Sequence, residues 1–165
     1  TFSTPLVIAW TFILGGIAIW LIETYHTPRP AKEKPQFDSL TLKQSLQVGL
    51  YQTIALVPGV SRSGATIMGG LLSGLDRVTS TAFSFYLSIP IILLAGSYKL
   101  LKGWDDLASI SGGGAAIIAG TIVSFITAFI AIGWLLRYVS KHNFKPFAYY
   151  RITLGLIILF VLAFV

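Results

Sequence analysis

The chain has 165 residues, of which 55% are hydrophobic and only 11% charged, with a formal net charge of +6. Soluble domains carry about 25% charged residues, so a chain this apolar, with mean hydropathy +0.79, cannot cover a water-facing surface and has lipid as its main solvent. The basic residues sit in short loops between apolar runs, where they orient a membrane protein rather than bind nucleic acid, and the absence of cysteine excludes disulfides and thiolate-held metals.

The chain opens at Thr1 without an initiator Met, which raises the expectation of a portion of a longer protein. No basic n-region or small-residue cleavage site precedes the first apolar run, so no signal peptide is expected. That run, Pro5 to Tyr25, reaches the roughly 20 residues needed to cross a bilayer, with Glu23 near its end as its one ionisable carboxylate. His26 to Lys43 follows as a polar stretch holding Pro28, Pro30 and Pro35, which reads as an exposed loop. Gln44 to Leu75 is apolar but broken at Pro58-Gly59, and each half, at about 12 to 14 residues, has the length of a re-entrant segment rather than a span. Gly69, Gly70 and Gly74 in its second half offer small surfaces for close helix packing. Three further spans are predicted: Ser80 to Leu101, kinked at Pro90; Gly113 to Arg137; and Pro146 to Val165, with Pro in its first turn.

The fold class is therefore an all-α integral membrane protein. It has about four transmembrane helices plus one re-entrant helical hairpin over residues 44–75, with 1–165 expected as the C-terminal portion of one polytopic domain and half of an inverted-repeat fold. Re-entry puts loops 26–43 and 138–145 on one side. The first carries Arg29, Lys32, Lys34 and Lys43, the second Lys141 and Lys145, and Arg137 lies just before it. Loop 102–112 sets Lys102 against Asp105 and Asp106. The positive-inside rule then places the two basic loops in the cytoplasm.

The break carries the chemistry. An arginine at membrane depth is expensive and marks function. Arg62 stands between Ser61 and Ser63, beside Gly64, at the start of a predicted helix whose free N–H groups and positive dipole end suit an anion. Either serine can cap that helix, Thr66 lies one turn beyond Arg62, and Gly59 and Gly64 let backbone approach a ligand closely. A guanidinium fork matches phosphate oxygens in pairs. The competing reading is a plain Pro-Gly turn, with capping serines and Arg62 paired to a structural acid; the depth of the guanidinium favours a phosphate or pyrophosphate cradle. Gln52, before the break, either orients Arg62 or a ligand or hydrogen-bonds a neighbouring helix. Glu23 is placed at the interface, with pairing to a basic residue as the alternative. Arg151 is expected to snorkel to the cytoplasmic interface beside the aromatic pair Tyr149 and Tyr150, and both His26 and His142 are placed in solvent.

The run Gln52-Thr53-Ile54-Ala55-Leu56-Val57-Pro58-Gly59-Val60-Ser61-Arg62-Ser63-Gly64-Ala65-Thr66-Ile67 resembles the undecaprenyl-pyrophosphate phosphatases, the bacitracin-resistance proteins, and has every fixed position of their Pro-Gly-x-Ser-Arg-Ser-Gly-x-Thr signature. Phe83-Ser84-Phe85, Ile89-Pro90 and Pro146-Phe147-Ala148-x-Tyr150-Arg151 are similar to the family as well. The resemblance implies a multi-pass enzyme of the bacterial cytoplasmic membrane that hydrolyses undecaprenyl pyrophosphate to the monophosphate carrier lipid of cell-wall synthesis. Excess of such an enzyme confers bacitracin resistance. It makes Arg62 and Ser61 the candidate catalytic residues, with Ser63, Gly64, Thr66 and Gln52 as candidates for binding substrate phosphate. The family's first-half motifs, of Glu-x-x-x-Glu type and Ser-Ser-Thr-Gly-His, do not occur here. The nucleophile or base, and the ligands of a divalent cation such as Mg or Ca, are then expected in an N-terminal half outside this chain. The implied partners are the polyprenyl pyrophosphate, the bilayer, that N-terminal half and a second copy in a homodimer. A polyprenyl-phosphate transporter or flippase built on broken helices is the alternative function, and a lipid-binding subunit without turnover is a third.

Overall fold

A computed structural model of the protein describes residues 4–26, 30, 34–104 and 112–164. Among these residues the regular structure is helical: α1 (Pro5–Tyr25), α2 (Leu42–Gln52), α3 (Arg62–Leu72), α4 (Arg77–Lys102), α5 (Gly113–Lys141) and α6 (Lys145–Ala163), with short 3-10 turns at Phe37–Ser39 and Thr53–Leu56. The predicted loop residues Pro28, Arg29, Lys32, Asp105 and Asp106 lie outside the described residues.

Local chemistry sets the helix starts. Thr4 caps α1, its hydroxyl accepting from the N–H of Val7 at 3.3 Å, with Pro5 at the first position. Thr41 and Gln44 form a reciprocal capping box that begins α2 at Leu42. Asp76 accepts from the N–H groups of Val78 at 3.0 Å and Thr79 at 3.1 Å, so α4 begins at Arg77, ahead of the expected Ser80. α5 runs on to Lys141, past the expected Arg137.

α1, α4, α5 and α6, with 21, 26, 29 and 19 residues, are long and apolar enough to cross a membrane. At about 1.5 Å per residue, the 11-residue helices α2 and α3 each reach only roughly 16 Å, about half of a hydrocarbon core. They run antiparallel to each other: Gln44 Nε2 donates to the carbonyl of Ser73 at 3.1 Å, and a Cβ on Gly69 would meet the Tyr51 ring at 2.6 Å.

α1 packs most extensively on α6. A Cβ on Gly16 would meet Ala148 O at 2.8 Å, and one on Gly155 would meet Ala9 O at 2.8 Å. Small residues therefore let the two backbones approach, and the pairing of early α1 with late α6 makes the helices antiparallel. Their ends are clasped by Glu23, which is 8% exposed. It accepts from Arg77 Nε at 3.0 Å and Nη2 at 2.6 Å, and from the N–H of Phe144 at 3.1 Å. Of the readings of Glu23, pairing with a basic residue is the one found: the carboxylate is enclosed where α1 ends and α4 and α6 begin, and a bidentate guanidinium with a backbone donor meets its lone pairs.

Two further expectations are corrected. His26 is only partly in solvent: its Nε2 lies 3.0 Å from the carbonyl of Leu71, at the end of α3. Gly74 does not pack closely: nothing would stand within 4 Å of its Cβ, and its φ of +82° turns the chain after α3. Gly70 does pack, against Ser80 of α4. The buried core joins Ile19 of α1, Ile67, Met68 and Leu71 of α3, Val78 of α4, and Val139, Phe144 and Ala148 around the α5–α6 turn. α5 packs on α4; its residues 114–131 are exposed, and its last third turns Leu135, Leu136, Tyr138 and Val139 to the core.

Candidate phosphate-binding loop

The turn between the short helices is held from two sides. Thr11 of α1 donates its hydroxyl to the carbonyl of Pro58 at 3.0 Å. Arg151 of α6 donates Nη2 to the carbonyl of Gly59 at 3.1 Å and to that of Thr11 at 3.2 Å. Gly59 has φ +87°, and a Cβ there would run into Thr11 Oγ1. Only glycine both adopts that backbone and leaves room for α1. The tip thus lies beside Thr11, about two-thirds of the way along α1 from its Tyr25 end, whereas Leu71 at the hairpin's foot lies beside His26.

Beyond the turn, Ser61 caps α3. Its Oγ accepts from the N–H of Gly64 at 3.1 Å, and its carbonyl takes the N–H of Ala65 at 2.9 Å. Of the donors in the first turn, those of Arg62 and Ser63 remain, directed out of the helix end. Ser63 Oγ is exposed and 3.2 Å from Ser61 Oγ. Arg62 is half-buried at the first position of α3, and its guanidinium has no hydrogen-bond or ion-pair partner among the described residues. No described acid takes it up, as the plain-turn reading required. The first three residues at this helix end, Ser61 to Ser63, therefore carry one guanidinium without a described partner, two outward N–H groups and two hydroxyls, a donor set suited to a multiply charged anion.

The other candidates are placed differently. Thr66 is 1% exposed, and its hydroxyl contacts the carbonyls of Arg62 at 3.0 Å and Ser63 at 3.1 Å and the Ser84 hydroxyl at 2.6 Å. It holds the loop from behind. Gln52 ends α2, with Oε1 buried and unpaired among the described residues.

Arg151 is the residue that sequence reasoning misplaced. It is 9% exposed and does not snorkel. Gly15 leaves it space on α1, its guanidinium lies 4.7 Å from the centre of the Phe12 ring, and its Nη2 donates to the carbonyls of Gly59 in the turn and Thr11 in α1, while Nε is buried without a partner among the described residues. The available signal was the adjacent pair Gly15-Gly16 in the first span, marking where α1 admits a bulky neighbour. An apolar cavity of about 380 Å³ lies between α1 and the hairpin. Leu14, Ala18, Ile22, Tyr51, Met68 and Leu72 wall it together with Ser61, Gly64 and Arg151, but Arg62 does not line it.

Fold and loop together define a multi-pass helical membrane protein with, at the start of α3, a helix end whose free donors suit an anion. The chain belongs to the bacitracin resistance protein BacA family, which matches residues 1–157. It is 44% identical over 158 residues to an undecaprenyl-diphosphatase of Polaromonas sp. (strain JS666 / ATCC BAA-500), covering 94% of this chain and 56% of that protein. It is 46% identical over 157 residues to one of Acidovorax ebreus (strain TPSY), with the same coverage. A third, of Methylobacillus flagellatus, is 44% identical over 163 residues, covering 94% of this chain and 58% of that protein. The chain thus spans little more than half the length of these relatives.

Proposed function

We propose that the full-length protein is an undecaprenyl-diphosphatase of the bacterial cytoplasmic membrane, and that this chain supplies its phosphate cradle. The observation that carries the proposal is the unpaired Arg62 at the open end of α3, in a chain whose relatives bear that name. The terminal phosphoryl group sits against the N–H groups of Arg62 and Ser63, with the Arg62 fork across two of its oxygens and the Ser61 and Ser63 hydroxyls beside it. Water adds to the terminal phosphorus, the bond to the bridging oxygen breaks, and the monophosphate lipid leaves with that oxygen. The donors fixed at the helix end stabilise charge growing on the equatorial oxygens. The cavity beside the loop is within the size range of ligand sites and gives the first isoprene units an apolar wall.

Among the described residues no three His, Asp or Glu side chains converge on one point. These residues therefore do not fit a divalent cation, and an ion acting in the whole protein takes its ligands from the remainder of that protein, which also supplies the base that takes the proton of the attacking water. We also propose that α2 and α3 re-enter the membrane. Antiparallel packing of α1 on α6 supports it: an even number of crossings between their joined ends is what a returning hairpin leaves, and a spanning one would make α1 and α6 parallel.

The test is phosphate release from a polyprenyl pyrophosphate by the full-length protein in detergent. Arg62→Ala is expected to lower kcat by about 10²–10³ or more, and Arg62→Lys to restore part of it, since an ammonium lacks the fork. Normal turnover in a folded Arg62→Ala, or lipid transport without phosphate release, refutes the reading.

A further inference from the structure

The Thr66 hydroxyl has a single proton and three oxygen neighbours: the carbonyls of Arg62 and Ser63 and the hydroxyl of Ser84. Carbonyls only accept. All three contacts are met together when Thr66 donates to the two carbonyls and Ser84 donates to Thr66. Each of those carbonyls shares a rigid peptide plane with the next residue's N–H. The Arg62 carbonyl therefore fixes the N–H of Ser63, one of the two outward donors, and the Ser63 carbonyl fixes the N–H of Gly64, which Ser61 caps. Ser84 is 5% exposed, lies on α4 outside the loop, and is the centre of the Phe83-Ser84-Phe85 run, which the phosphate cradle itself does not use. Its contact with Thr66 is the shortest hydroxyl pair among the described residues, at 2.6 Å.

We propose that Ser84 is a positioning residue for the phosphoryl chemistry: through Thr66 it sets the peptide planes that aim the Ser63 N–H and carry the Arg62 side chain. The proposal rests on the phosphatase reading. A buried hydroxyl pair in a low-dielectric interior holds its geometry firmly, and donors at a developing oxyanion act through preorganisation. Loss of Ser84 should therefore appear in the chemical step rather than in substrate affinity.

The experiment uses the full-length protein in detergent and follows phosphate release from a polyprenyl pyrophosphate, with thermal unfolding of each variant. Ser84→Ala is expected to lower kcat about tenfold, the equivalent of one neutral hydrogen bond, with KM little changed. Thr66→Val should lose a similar amount. The double variant should be no worse than the poorer single one, because both remove the same link. Ser84→Thr, which keeps the hydroxyl, should recover most of the loss. If Ser84→Ala does not fold, Ser84→Cys, nearly isosteric and a weak donor, carries the test with an intermediate kcat expected. A wild-type kcat in the folded Ala or Cys variant, losses that multiply in the double variant, or a loss confined to KM overturns the positioning role and leaves the phosphatase reading intact. A wild-type protein that releases no phosphate overturns both.

Discussion

Gly59→Ala tests how the loop is held. At φ +87° an alanine is in the left-handed region, at a cost of about 1–2 kcal/mol. Its Cβ would also overlap Thr11 Oγ1 and stand 3.0 Å from Ile8 Cα and 3.3 Å from Ile8 O. Overpacking of this kind costs about 1–3 kcal/mol, so about 2–5 kcal/mol of folding stability is at stake. The backbone can relieve the overlap only by moving the tip away from α1. That shift also pulls the Gly59 carbonyl from Arg151 and displaces the start of α3. A shift of about 1 Å at a reacting site can cost about 10²-fold in rate. Thermal unfolding of the full-length protein in detergent, paired with phosphate release, should show both losses. Thr11→Ala alone should cost about 1 kcal/mol, the hydrogen bond to Pro58. In the double variant the overlap with Thr11 is gone while the backbone strain and the contact with Ile8 remain, so it should be more stable than Gly59→Ala alone. Wild-type stability in Gly59→Ala, or a double variant whose losses simply add, refutes the account of the turn as wedged against α1.

Arg151→Met keeps much of the side chain's bulk and removes its donors. Burying a guanidinium is itself costly, so the unfolding temperature should change little while phosphate release falls about tenfold as the Gly59 carbonyl loses its partner; full turnover would show that the turn needs no clamp. Glu23→Gln should destabilise by about 3 kcal/mol, measured by thermal unfolding, because Arg77 keeps its charge at a site where its side chain is only 20% exposed. Glu23→Gln with Arg77→Gln should recover part of that loss, and no recovery would show that the pair is not a clasp. Gly16→Leu should abolish the folded state, since its Cβ already meets Ile152 Cγ1 at 2.6 Å and Ala148 O at 2.8 Å; a folded variant would contradict the close approach of α1 to α6.

The elements were legible in sequence because each rests on local chemistry. Apolar runs of spanning length, Pro5 at the start of the first, and the Pro58-Gly59 break are all features of contiguous sequence, and α1 has the predicted bounds, Pro5–Tyr25. The start of α3 at Arg62 was legible for the same reason: Ser61, Arg62, Ser63 and Gly64 are neighbours in the chain, and the Ser61 cap that begins the helix acts within three residues. What tertiary structure decided is every pairing across the fold. Arg151 looked like a snorkelling residue because lipid and a neighbouring glycine are indistinguishable from its own segment; only the packing of α6 on α1 brings it to Gly59, 92 positions away. Glu23 looked interfacial until α4 and α6 closed over it. Thr66 shares a helix face with ligand-binding neighbours in any sequence reading, yet Ser84 on α4 claims its hydroxyl. A span's sequence shows which side chains cannot face lipid without a partner, and only the approach of another helix supplies that partner, because the distances that satisfy a buried donor are set by backbone contact between helices and not by position along one of them.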